Sequence, residues 1–89
     1  MPDDDYRTLQ SALVLRPEAG PIIPGSGGVR KLRWGVFGKG KRGGLRVIYY
    51  WNKAEERIYM LLVYPKARQE DLTHEQLKTL RRLVKENLK

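Results

Sequence analysis

Between Ala19 and Ala54 the chain carries eight lysines or arginines and no aspartate or glutamate. The whole chain holds 18 basic and 10 acidic residues, so the basic and acidic counts outside this window are equal and the net charge of +8 resides within it. A concentrated field of one sign attracts a polyanion, above all a nucleic-acid backbone. An anionic membrane ranks second, because its usual partner is a basic amphipathic helix and these cations fall on strand patterns and a glycine loop. Arginine can hold two phosphate oxygens at once. Lysine and tyrosine can move protons. Paired histidines, the device of many ribonucleases, are excluded, because His74 is the only histidine. A lone imidazole cannot fill both proton-transfer roles, and His74 reads as a surface residue at the start of a helix. With no cysteine there is no disulfide and no thiolate metal site. Asp3, Asp4 and Asp5 read as a helix start, since consecutive carboxylates cannot all face one ion. The glycines at 25–28 lack the Lys-Ser/Thr ending of a phosphate-binding loop, and no helix follows them. Neither a metal nor an organic cofactor is expected.

The elements that must position the cations follow from periodicity. Tyr6, Leu9, Ala12 and Leu13 make one helical stripe, which should stop near Arg16 because Pro17 disfavours helical geometry before it. Residues 17–28 alternate Pro and Gly too often for a regular element, with Ile22 and Ile23 pinning the loop to the core. Residues 29–36 read as a strand with Leu32, Trp34 and Val36 on one face and Lys31 and Arg33 on the other. The glycine-rich connection that follows carries Lys39, Lys41 and Arg42. Residues 45–51 form a second strand, with Arg46 on the face of Ile48 and Tyr50. A charge inside such a run requires either a carboxylate partner or a functional groove. After a polar turn, residues 58–64 are apolar on both faces, which points to a central strand. Pro65 ends that strand, and Lys66 and Arg68 follow. Thr73 and Gln76 form a capping box, with Leu72 stapling against Leu77. Leu77, Leu80, Val84 and Leu88 then supply the buried stripe of a last helix. The expectation is a single α+β domain over residues 1–89. Three antiparallel strands would pack against the N- and C-terminal helices, with both helices on one face.

At GGVRKLRW, GKGKRGGLRVIYYW and YMLLVYPK the chain resembles the RelE superfamily of bacterial toxins, in particular its HigB-like branch. The likeness runs from about Tyr6 to the C-terminus. It implies a small RelE-like fold and a cytoplasmic toxin of a type II toxin–antitoxin system that inhibits translation as a ribosome-dependent mRNA endonuclease (an mRNA interferase). It implies metal-free, in-line attack of a 2′-hydroxyl on the adjacent phosphate. Carried onto matching positions, Lys31, Arg33, Arg46, Tyr64 and Lys66 are the catalytic candidates. Arg30, Lys39, Lys41 and Arg42 are the RNA-binding candidates. The general acid and base stay open, since Ala67, Arg68 and Thr73 occupy the region where relatives place an Arg or Tyr. The implied partners are the ribosome, mRNA and a cognate helix-turn-helix antitoxin, with no membrane. The opening strand of the family has no counterpart at the start of this chain. An unpaired sheet edge would accept a strand from a partner, or from a second copy as a homodimer or strand exchange. Two other readings use the same cations: a non-catalytic RNA- or DNA-binding module, and a gyrase-directed toxin of the ParE branch. Ribosome-dependent cleavage separates the first reading from both.

Overall fold

The computed structural model describes residues 3–35, 44–69 and 71–88. Helix α1 spans Asp3–Leu15. Its last bond runs from the Arg16 amide to the Ala12 carbonyl, and Pro17 lies just beyond. Three antiparallel strands follow: β1 Val29–Trp34, β2 Leu45–Asn52 and β3 Arg57–Pro65, in the order β1-β2-β3. Helix α2, His74–Leu83, opens on the capping box of Thr73 and Gln76 and unwinds into a π-helical turn over Val84–Leu88. The Asn52 side chain, at the end of β2, donates to the Leu88 carbonyl at 2.9 Å and so ties that turn to the β2–β3 hairpin. The helix, the three strands and the capped second helix match the expected α+β arrangement. Gly35 falls outside β1. Val36, Lys39, Lys41 and Arg42 lie outside the described residues.

Two expectations are corrected. The helices do not share a face. Leu9 and Leu13 of α1 pack with Val47 and Tyr49, whereas Leu80 of α2 and Val84 just after it pack with Val29, Ile48 and Tyr64. Alternate residues of a strand point to opposite faces, so α1 and α2 cover opposite sides of the sheet. The apolar run of β3 does not mark a central strand either. Among the described strands β2 is central, with Val47, Ile48 and Tyr49 all fully buried. β3 is apolar on both faces because both faces of the sheet carry a helix. Its register also slips: Ile48 pairs with Leu62 and Tyr49 with Met60, leaving Leu61 as an extra residue. That bulge changes the phase of the strand. Leu62 and Tyr64 serve the α2 side while Ile58 and Met60 serve the α1 side.

The segment before β1 closes on itself. The buried Ser26 hydroxyl donates to the Ile23 carbonyl at 2.6 Å and accepts from the Val29 amide at 2.9 Å. Gly25, Gly27 and Gly28 there have φ of 74°, 81° and 111°, values that a side chain resists. Just upstream, the Ile23 amide bonds the Val29 carbonyl and the Lys31 amide bonds the Pro21 carbonyl, so residues 21–23 cover part of the outer edge of β1. Among the described residues no helix is long and apolar enough to cross a membrane.

Candidate functional site

The register of the sheet assembles the site. Arg33 of β1 lies opposite Arg46 of β2, which lies opposite Tyr64 of β3. Directly opposed residues on neighbouring strands stand about 5 Å apart on one face, so the three form a row across the whole sheet. The row lies on the side covered by α2. Arg46 is 3% exposed and Tyr64 is 5%, while Arg33 stands in solvent. Lys31, one row further along β1, lies opposite Ile48 on the same face.

A carboxylate completes the group. Lys31 Nζ donates to Asp71 Oδ1 at 2.6 Å. Asp71 sits between β3 and α2, and the start of the helix fixes its backbone. Gln69 Nε2 donates to the Asp71 carbonyl at 2.9 Å and to Gln76 Oε1 at 2.8 Å. Gln76 Oε1 also accepts from the Thr73 amide, while the Thr73 hydroxyl accepts from the Gln76 amide. The hydrogen bond from Lys31 holds the Asp71 carboxyl below its ordinary range; the charges of Lys31 and Arg46 add to this, against a smaller opposing effect of desolvation. Burial pushes the Tyr64 phenol above its ordinary value, the Asp71 charge adds to that, and Arg46 works against it. Tyr64 therefore remains a protonated hydroxyl at neutral pH. Arg46, the cation that an apolar strand had to justify, lies beside Arg33 and Tyr64 and in the field of Asp71.

The remaining candidates fall elsewhere. Lys66 is exposed in the turn after β3, where its amide bonds the Gly44 carbonyl at 3.1 Å. Arg30 alternates to the other face of β1, and its guanidinium donates to the Gly20 carbonyl at 2.8 Å and the Glu18 carbonyl at 3.4 Å. The structure thus gives Arg30 the task of clamping the loop after α1 and does not bring it to the row. His74 is exposed at the first turn of α2, as its lone occurrence indicated. Asp71 is the site residue that sequence reasoning passed over, because a carboxylate three residues before a helix looks like ordinary helix-start chemistry. Its partner, Lys31, is 40 residues away in the chain.

The row of Arg33, Arg46 and Tyr64 rests on strands that the sequence marks by the runs VRKLRW, LRVIYYWN and RIYMLLVYP. Those runs lie within the part of the chain that matches a known family. Residues 19–89 match the family model described as the RelE toxin of the RelE/RelB toxin–antitoxin system. That match takes in all three strands, the Lys31–Asp71 pair and α2, and the chain accordingly belongs to the RelE family of toxins of toxin–antitoxin systems.

Proposed function

We propose that this toxin is a ribosome-dependent mRNA endonuclease of the HigB-like branch, which halts translation and is held in check by a helix-turn-helix antitoxin. The observation that carries the proposal is the row of two guanidiniums and a protonated phenol in register on one sheet face. Metal-free cleavage of RNA places extra negative charge on the phosphate and requires a proton for the departing oxygen. In this proposal Arg33 and Arg46 take the phosphate oxygens, and Lys31 adds charge at the edge. The 2′-hydroxyl attacks phosphorus and releases its proton to the medium. The bond to the 5′-oxygen breaks, and Tyr64 supplies the proton that this oxygen needs. Lys66, and Lys39, Lys41 and Arg42 of the glycine-rich connection, hold the flanking strand. The products are a 2′,3′-cyclic phosphate and a 5′-hydroxyl. The test is single-turnover cleavage of mRNA on programmed ribosomes, with the new ends mapped chemically. mRNA that stays intact on ribosomes saturated with the folded protein overturns the proposal.

A further inference from the structure

Beside Lys31 a groove of about 350 Å³ opens between the loop of residues 21–24 and the start of α2. Its walls are apolar, with Ile22 and Ile23 on one side and Leu72 and Leu77 on the other. The charged residues lining it are Lys31 and Asp71. Of the two isoleucines expected to pin this loop to the core, only Ile23 does so. Ile22 is 52% exposed even though it is bridged to Arg30 of β1, so the backbone holds an apolar side chain out in solvent. The groove adjoins the row of Arg33, Arg46 and Tyr64, because Lys31, which lines it, stands next to Arg33 along β1 on the same face of the sheet. Its volume lies near the lower end of small-ligand pockets, which run from roughly 300 to 1,000 Å³.

A single RNA strand gripped by its phosphates splays its bases, and those bases need a flat apolar surface and partners for their edges. The groove offers both. Proline and isoleucine side chains present a surface for a ring. Asp71 presents a carboxylate with a side chain 74% exposed, on a backbone fixed by Gln69 and the capping box. A carboxylate accepts hydrogen bonds and cannot give them, so it favours an edge with an amino group and repels one lined by carbonyls. Guanine, cytosine and adenine carry such an amino group. Uracil carries none and presents two carbonyl oxygens.

We propose that this groove is a nucleobase subsite, in which the base next to the phosphate on the cation row lies between residues 21–24 and Leu72, and Asp71 selects an amino-bearing base over uracil. The inference rests on the mRNA-cleavage reading above and gives that site its sequence preference. The low range at which Asp71 titrates suits an acceptor that stays ionised. It does not suit a general base, whose ideal value lies near the working pH.

The experiment is single-turnover cleavage on ribosomes carrying a set of mRNAs in which each nucleotide flanking the cut is varied through all four bases. The parent should disfavour uridine at one flanking position by on the order of tenfold, the scale of one well-placed base contact. Asp71→Asn, which can also donate, should shrink that contrast several-fold without unfolding the protein, as thermal melts would verify. Ile22→Ser should raise the half-saturating concentration for every base and leave the contrast intact. A parent that cuts with no dependence on the flanking bases overturns the subsite and leaves the endonuclease standing. Asp71→Asn slowing all four bases equally also overturns it, since Asp71 would then act only by positioning Lys31. If both variants lose antitoxin binding while the base dependence is unchanged, the groove is a protein contact and the proposal fails. A parent that cuts no mRNA overturns the endonuclease reading, and the subsite with it.

Discussion

Arg46 is a guanidinium at 3% exposure in the central strand, opposite a second guanidinium on one side and a phenol on the other. Holding it there is costly unless its charge is used or balanced. Arg46→Lys keeps the charge but loses the planar fork that grips two oxygens. Single-turnover cleavage should therefore fall by on the order of a hundredfold while RNA binding changes little. Cleavage at the parent rate by a folded variant would make Arg46 structural and shift the chemistry to Tyr64 and Lys66. The pair beside it makes a prediction about pH. The carboxyl of Asp71 titrates below its ordinary value of 3.8 in the folded protein because Lys31 bonds its ionised form. The pair thus contributes stability above the unfolded value, and that contribution is lost as pH falls through the folded one. Lys31→Met removes it. The difference in urea midpoint between parent and variant should be present at neutral pH and close in acid. In the same series, Asp71→Asn should lower the titration point of Tyr64, read by carbon NMR of labelled tyrosine, since the Asp71 charge helps to raise it.

At the scale of elements, Tyr49 shows how a strand side chain positions a loop. Its hydroxyl, buried beneath the end of α1, donates to the Pro17 carbonyl at 2.8 Å and accepts from the Gly20 amide at 2.9 Å. Tyr49→Phe strands the buried Gly20 donor, at a cost of about 1–3 kcal/mol in a denaturant titration. Gly20→Ala should destabilise as well, since a Cβ there would lie 2.7 Å from the Lys31 carbonyl oxygen and 3.2 Å from the Tyr49 ring. Because both neighbours are tightly held, the expected loss is about 1–3 kcal/mol. Much of this architecture was legible. The alternation of Lys31 and Arg33 against Leu32 and Trp34 located β1, and Thr73 with Gln76 located the start of α2. The layering was not legible, and the reason lies in β3. The run Ile58 to Tyr64 is apolar throughout, and the extra residue Leu61 breaks its period of two, so neither the bulge nor the second helix-covered face leaves a trace in the pattern. For the same reason the row Arg33–Arg46–Tyr64 could be read as three residue types but not as a row, since register is a property of pairing and not of any one strand. The Lys31–Asp71 contact was further out of reach, being a long-range pair with no local signature.

Across the whole molecule, charge and fold divide the surface unevenly. The +8 falls in the window from Ala19 to Ala54, which contributes β1 and β2, and of its cations the sheet directs Lys31, Arg33 and Arg46 to the α2 side. A polyanion bound to such a face must displace counterions. Each lysine or arginine that meets a phosphate of single-stranded RNA lowers log K by about 0.7 per tenfold rise in salt. Contacts by Lys31, Arg33, Arg46, Lys66, Lys39, Lys41 and Arg42 together should give a slope of about 5. The double variant Lys31→Ala, Arg33→Ala should lower it by about 1.4, while loss of an apolar wall such as Ile22→Ser should weaken binding at every salt concentration with the slope unchanged. Fluorescence anisotropy with a labelled oligonucleotide, taken through a salt series, measures all three. A steep slope that the double variant leaves intact would put the phosphate contacts on the other cations of this set alone. A flat parent slope would mean that the basic face serves a protein partner, and a co-purified acidic antitoxin segment would then be the ligand that the charge was arranged to meet.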